Sequence, residues 1–246
     1  MIKIAIMGAG RMGSLIKTTA EGMTDASGNP VFEVVAQIGF DLAEADTAAS
    51  ADMLIDFSNV ACLPAVVSYV KRTGAALVCG TTGFTEGQLD QVRELGTDHA
   101  VVHSGNYSIG IAALRHLAAQ ATRELPGFDV EICETHHNQK VDAPSGTANM
   151  LLDAVIAAEP EDGYHPVYGR EGMCGSRTKN EIGMHSLRGG TVAGVHTVSF
   201  FGTDEEVSLT HRATSRQIFV NGALAAALKL LQKPNGFYTF DQVMFE

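Results

Sequence analysis

The chain opens with a short apolar run, Ile2 to Met7, that breaks directly into Gly8-Ala9-Gly10-Arg11-Met12-Gly13. A β-branched apolar run closed by glycines predicts a buried strand, and the residues from Arg11 to about Gly22 continue as a helix. The G-x-G-x-x-G spacing gives each glycine a task. Gly8 permits the tight turn, Gly10 lets a diphosphate approach the backbone, and Gly13 lets helix and strand pack closely. The helix N-terminus then offers N–H groups and the positive end of its dipole to an anion. In this strand-turn-helix context the motif predicts a dinucleotide site made of Gly8, Ala9, Gly10, Arg11, Met12 and Gly13. An acidic residue usually closes the second strand of such a unit and grips the ribose. Here the stretch reads Ala36-Gln37-Ile38-Gly39-Phe40-Asp41. Asp41 is the nearest candidate, although an ordinary loop aspartate accounts for it equally well. Arg11 could instead meet a 2′-phosphate, so both NADH and NADPH remain open.

Further elements extend the first into a parallel, doubly wound sheet. Strands are expected at Val31–Ile38, Met53–Phe57, Ala75–Cys79 and from Val101. Helices are expected at Leu63–Thr73 and Thr85–Leu95. The connection between the second and third strands is too short for a full crossover helix with loops. Two more glycine turns follow apolar strands: Cys79-Gly80-Thr81-Thr82-Gly83-Phe84 and His103-Ser104-Gly105-Asn106-Tyr107-Ser108. Ligands of open parallel sheets lie outside the carboxyl ends of the strands. Gly80, Thr81 and Thr82, with Ser104, Gly105, Asn106 and Tyr107, are therefore candidates to hold the nicotinamide ribose and carboxamide. Ordinary βα turns are the alternative.

Past Tyr107 the pattern changes. A helix from Ile109 to Arg123 precedes a strand at Asp129–Glu134 and a helix at Gly146–Ala158. A glycine- and charge-rich stretch then runs from Glu161 to Glu181. Strands follow at His185–Leu187, Val192–Phe201 and Glu205–Arg212, the last two joined by a Gly202-Thr203-Asp204 turn. Gln217–Leu231 is a strongly apolar helix, expected to return to the first domain. The fold class is α/β: an N-terminal Rossmann-type parallel sheet completed by the C-terminal helix, plus an α+β domain with a mixed sheet. The expected boundaries are 1–107 with 216–246, and 108–215.

Within the second domain lies the segment that carries chemistry, Glu134-Thr135-His136-His137-Asn138-Gln139-Lys140-Val141-Asp142-Ala143-Pro144-Ser145-Gly146-Thr147-Ala148. Two histidines and a lysine fall within five residues at a strand end. Just beyond, a helix begins after Pro144-Ser145, where the Gly146 and Thr147 N–H groups can bind an anion. Gly146 admits a ligand to the backbone. A carboxylate held there and at Lys140 would be fixed while an imidazole supplies a proton, work that suits a group titrating near neutrality. A zinc site is not expected, because adjacent histidines rarely face one ion and no third ligand is near. The four cysteines, Cys62, Cys79, Cys133 and Cys174, show no zinc or disulfide spacing and read as reduced thiols of a cytoplasmic protein.

The segment resembles the signature of the dihydrodipicolinate reductase family, E-x-H-H-x-x-K-x-D-A-P-S-G-T-A. Similar marks run along nearly the whole chain in the family's order: GAGRMG, CGTTGF, SGNYSIG, His185-Ser186-Leu187-Arg188-Gly189-Gly190, and His211-Arg212-Ala213 through Ser215-Arg216. The resemblance implies His136 as general acid and Lys140 as second proton donor. It implies His137, Lys140, Ser145, Gly146 and Thr147 as substrate-binding residues. It also implies NADH or NADPH as cofactor, a homotetramer assembled through the second domain's sheet, and reduction of 4-hydroxy-tetrahydrodipicolinate with loss of water. Many members carry an acidic residue after the second strand, where this chain has Gly39-Phe40. The resemblance therefore implies NADH and NADPH equally.

Charge and length restrict the rest. Twenty-eight acidic residues against seventeen basic ones give a net charge of −11, a field that repels nucleic-acid backbones and anionic membranes. No apolar stretch spans a bilayer, and the start lacks the pattern of a secretory leader. Two rival readings remain: a dehydrogenase of an amino acid or semialdehyde, and a redox-sensing binding protein without turnover. The His136/His137/Lys140 cluster is superfluous to the second.

Overall fold

A computed structural model describes residues 1–39, 42–159 and 163–246. Chain contacts divide it into two units, Met1–Ser108 with Gln217–Glu246, and Ile109–Arg216. The first contains β1 (Ile2–Met7), α1 (Arg11–Glu21), β2 (Phe32–Ile38), α2 (Leu42–Thr47), β3 (Met53–Asp56), α3 (Leu63–Thr73), β4 (Ala76–Cys79), α4 (Glu86–Leu95) and β5 (Ala100–His103). The second contains α5 (Ile109–Glu124), β6 (Asp129–His136), α6 (Gly146–Ala158), β7 (His165–Tyr168), β8 (Glu181–Arg188), β9 (Gly194–Phe201) and β10 (Glu206–Ala213). The chain then supplies α7 (Gln217–Leu230), β11 (Gly236–Thr239) and α8 (Phe240–Phe245) to the first unit.

In the first unit six strands lie in the order β11-β5-β4-β3-β1-β2, every neighbouring pair parallel. Chain order reverses between β1 and β3, and that reversal makes the crevice where ligands of such sheets bind. β3 and β4 are buried throughout, as strands covered on both faces must be. Among its described residues the short β2-to-β3 connection contains one helix, the six-residue α2. It is tied down from α3, where Tyr69 donates to the Ala49 carbonyl at 2.6 Å and Arg72 to those of Ala45 and Ala48 at 2.8 and 3.0 Å. Local chemistry sets the helix ends. Thr85 and Gln88 close a capping box on α4, and Gly74, at φ 76°, ends α3 with its N–H on the Val70 carbonyl.

The second unit is a mixed sheet in the order β10-β9-β6-β8-β7, antiparallel on the β10 side of β6 and parallel on the β8 side. Burial alternates along β6 and β9. One face, with Val130, Ile132, Val198 and Phe200, packs under Ile111, Leu114, Leu151 and Val155 of α5 and α6. The other carries cross-strand hydroxyl pairs, Thr197 with Thr210 and Ser199 with Ser208.

Three features depart from the sequence expectation. The glycine- and charge-rich stretch holds a strand, β7, at the sheet edge. Its Pro166, and its pairing with β8 alone, hid it from a periodicity argument. The first sheet is completed by the edge strand β11 and the short α8 as well as by the expected C-terminal helix. β6 runs two residues further than Glu134, so His136 belongs to the strand. Phe40 and Asp41, the residues that bore on ribose recognition, lie outside the described residues.

Gly222 shows how α7 reaches the sheet. A Cβ there would stand 1.7 Å from the Tyr107 carbonyl oxygen, a backbone atom that cannot rotate away. Alanine is worth about 1 kcal/mol more than glycine inside a helix. Overpacking against backbone costs about 1–3 kcal/mol or more and should win. Gly222→Ala is therefore expected to lower the urea midpoint of unfolding. A midpoint that stayed or rose would contradict the close docking of α7 on Tyr107.

Candidate active site

The glycine turn after β1 has the geometry the motif requires. Gly8 adopts φ 112°, closed to residues with a side chain, and a Cβ on it would lie 2.7 Å from the Phe57 carbonyl oxygen. A Cβ on Gly13 would lie 1.9 Å from the Gly8 carbonyl oxygen, so strand turn and helix touch at backbone distance. At Gly10 a Cβ would meet nothing within 4 Å. Gly10 is also the N-cap of α1, offers no side-chain acceptor to the helix, and is followed by no acidic residue in the first turn. An exposed helix start with space over its middle glycine fits a diphosphate.

The other two turns are built differently from this one. Thr81 is buried and accepts the Ser58 N–H at 3.0 Å, and its carbonyl lies 3.1 Å from His103 Nε2. Thr82 is exposed. A Cβ on Gly80 would collide with the Phe57 ring at 2.5 Å. Ser104 folds back on its own loop, donating to the Asn106 carbonyl at 2.7 Å and accepting the Asn106 N–H at 3.1 Å. Gly105 is exposed. Tyr107 is buried, with its hydroxyl 2.8 Å from the Cys79 carbonyl. The side chains of Thr81 and Tyr107 thus hold the turns in shape, leaving backbone groups, Thr82 and Gly105 to face a ligand. Below these turns Asp56 is buried. Burial pushes its carboxyl above the usual range against the pull of hydrogen bonds from Ser58, Thr81 and Cys79.

The second unit gathers the rest of the predicted residues. His136 stands at the end of β6, its Nδ1 2.6 Å from Glu134 Oε2. Glu134 is fully buried and takes both arms of Arg188, at 2.9 and 2.8 Å. Its Oε1 also accepts the Ser145 N–H at 3.2 Å. Burial pushes this carboxyl up. Hydrogen bonds from Arg188, His136 and Ser186, with the charge of His136, outweigh it and hold the pKa at about 2. Arg188 reaches further, donating to the Asp142 carbonyl at 2.7 Å. Lys140 is four-fifths buried and grips both oxygens of the Asp142 carboxylate, at 2.7 and 2.9 Å. His137 is half-buried in the same loop.

Ser145 caps α6 by accepting the Ala148 N–H at 3.2 Å. It is buried, and its hydroxyl serves the helix. Gly146, next in the chain, is exposed, with nothing within 4 Å of where a Cβ would be, and Thr147 is half-buried. The structure therefore brings His136, Lys140, Ser145, Gly146 and Thr147 into one neighbourhood, around an ion pair.

Sequence reasoning missed three members. Glu134 and Arg188 lay within the quoted motifs but had no role, because their pairing spans 54 residues. His196 on β9 carried no signal at all. It is 4% exposed, its Nε2 is 3.1 Å from Ser145 Oγ, and its ring meets that of His136 edge-on at 5.2 Å. Burial, then the nearby charge of His136, lowers its pKa to about 4, so it is neutral at physiological pH. Gly194 gives His136 its room, since an alanine Cβ there would stand 3.1 Å from Nε2.

A glycine-turn parallel sheet in one unit and a mixed sheet bearing an acid–base cluster in the other mark the chain as a Rossmann-type oxidoreductase. The family described as "Dihydrodipicolinate reductase, N-terminus" matches residues 2–107, and "Dihydrodipicolinate reductase, C-terminus" matches residues 110–244. The 4-hydroxy-tetrahydrodipicolinate reductase of Staphylococcus aureus strain Mu3 is 45% identical over 193 residues, covering 78% of this chain and 79% of that protein. The enzyme of the same name from Staphylococcus saprophyticus is 45% identical over 196 residues, 80% of each. The chain belongs to the dihydrodipicolinate reductase family. Its fold matches that of a dipicolinate-bound dihydrodipicolinate reductase from Paenisporosarcina sp. TG-14, with TM-score 0.77 and 23% identity over the whole of both chains. A myo-inositol dehydrogenase from Corynebacterium glutamicum shares the fold more loosely, at TM-score 0.59 and 16% identity, covering 98% and 92% of the two chains.

The two outer glycines can be told apart from the middle one by experiment. Gly13→Ala drives a methyl into backbone and should lower stability by about 2 kcal/mol or more in urea unfolding. Gly10→Ala should leave stability within about 0.5 kcal/mol while weakening NADH binding, followed by fluorescence titration, at least about tenfold. Unchanged binding in Gly10→Ala would remove this turn from dinucleotide recognition.

Proposed function

We propose that this chain reduces 4-hydroxy-tetrahydrodipicolinate to tetrahydrodipicolinate and water with NADH or NADPH, a step of lysine and diaminopimelate biosynthesis. The observation that carries the reading is the cluster of His136, Lys140 and the exposed α6 start around one buried carboxylate, in a chain 45% identical to reductases of that name. When bound, the reduced nicotinamide supplies the hydride. The Gly8–Gly13 turn, with Gly80–Thr82 and Ser104–Tyr107, holds the dinucleotide on the first unit. The open space over Gly10 supports this.

On the second unit, one substrate carboxylate accepts N–H bonds from Gly146 and Thr147, beside the Ser145 cap. Lys140 binds the other acid group and shares its ammonium with Asp142. His137 adds a contact from the same loop. With its Nδ1–H donating to Glu134, His136 acts as the doubly protonated imidazolium, gives its Nε2 proton to the reacting ring as negative charge develops, and returns to the neutral Nδ1–H tautomer. Lys140 is the second proton donor. Overall one hydride and one proton enter the ring and the 4-hydroxyl leaves as water, so atoms and charge balance.

The chain works as a homotetramer in the cytoplasm on this reading. Support comes from the uncovered face of the second unit's sheet, where Leu187 and Phe201 are 53% and 40% exposed among the hydroxyl pairs. No helix among the described residues is long and apolar enough to cross a membrane.

The test is paired oxidation of NADH and NADPH, followed at 340 nm, with the product of dihydrodipicolinate synthase as substrate. Turnover with at least one cofactor is expected. His136→Ala should lower kcat about 10²–10⁴-fold, whereas Lys140→Ala should lower kcat and raise KM. Turnover by neither cofactor would end the reading, and an unchanged kcat in His136→Ala would take that residue out of the mechanism.

A further inference from the structure

Hydrogen bonds from four residues, His136, Arg188, Ser145 and Ser186, converge on one carboxylate. Glu134 Oε2 accepts from His136 Nδ1 at 2.6 Å and Arg188 Nη1 at 2.9 Å, while Oε1 accepts from Arg188 Nη2 at 2.8 Å and the Ser145 N–H at 3.2 Å. These bonds satisfy the acceptor capacity of a fully buried group. They also divide it functionally. One oxygen addresses the imidazole, and the other addresses the backbone of the residue that caps α6. From this geometry we propose that Glu134 is a positioning residue that aligns the proton donor and the anion-binding helix start to each other. It fixes His136 as the Nδ1–H tautomer with Nε2 turned outward, and it holds Ser145 at a set distance from that ring.

The proposal rests on the reductase reading above and deepens it. An ionised carboxylate can only accept, so His136 must present an N–H at Nδ1. Proton exchange with a ligand is then confined to Nε2, the atom for which Gly194 leaves room. A neutral amide at position 134 loses that discrimination, because its NH₂ can donate to Nδ1 and stabilise the opposite tautomer. It also leaves Arg188 without its counter-charge, and Arg188 fixes the Asp142 carbonyl in the Lys140 loop. The groups facing Glu134 are Arg188 and Ser186 from β8, His136 from its own strand, and Ser145 at the start of α6. His196 on β9 stands behind the His136 ring as a neutral neighbour.

Two measurements on the full-length protein test this. The first is ¹⁵N–¹H correlation of the wild-type histidine rings, with His136 assigned by comparison with His136→Asn. Neutral His136 should appear protonated at Nδ1, and an Nε2–H tautomer would overturn the proposal even if no variant folded. The second compares Glu134→Gln with wild type in steady-state kinetics and in calorimetric binding of pyridine-2,6-dicarboxylate. Glu134→Gln should lose at least about tenfold in kcat and bind the dicarboxylate at least about threefold more weakly. Its NADH affinity should stay within twofold, and Glu134→Asp should recover part of both losses. A folded Glu134→Gln with wild-type kcat and dicarboxylate affinity would refute the proposal. Absence of turnover in wild type, with the tautomer and dicarboxylate results as expected, would instead refute the reductase reading alone.

Discussion

In the second unit His136, the Ser145 backbone and the Lys140 loop are tied to one ion pair, between Glu134 and Arg188. It is buried and bidentate, and each partner carries the charge further: Glu134 to His136 and Ser145, Arg188 to the Lys140 loop. Stability alone does not explain such a pair. Replacing a buried ion pair with apolar groups of similar volume is often neutral, whereas removing one partner costs about 3–5 kcal/mol. What an apolar pair cannot do is hold an imidazole, a backbone N–H and a loop carbonyl in one frame. Taking the charges out of water strengthens each of those contacts.

The first unit obeys a different constraint, close approach of backbones. Gly8, Gly13 and Gly222 sit where a single methyl would strike a carbonyl oxygen, while Gly10 sits where it would strike nothing. Three of these positions are needed to build the sheet with its helices. The fourth is left over, and a site can be read there because the fold makes no use of it. The side chains of Thr81 and Tyr107 turn inward in the neighbouring loops for a related reason: they hold the turns so that backbone can face outward.

How much of this could be read from the sequence depended on the range of the interaction. The strand at Ile2–Met7, the helix at Gly146–Ala158 with its Ser145 cap, and the abbreviated second crossover follow from local pattern and spacing. The structure has them where expected. The family resemblance, seen in motifs along the chain, agrees with family matches over residues 2–107 and 110–244. The edge strands β7 and β11 were missed because four-residue strands acquire their identity from a partner strand. Arg188 and His196 were missed as site members because their partners lie 54 and 51 residues away, and no local period encodes such a pairing.

On the proposed reading a proton donor and a carboxylate-binding helix start share one site on the second unit. A crystal structure of the protein with pyridine-2,6-dicarboxylate decides this. One carboxylate should lie on the N–H groups of Gly146 and Thr147, with the ring facing His136 Nε2. A dicarboxylate bound away from the start of α6, with His136 Nε2 facing no part of it, would contradict the claim.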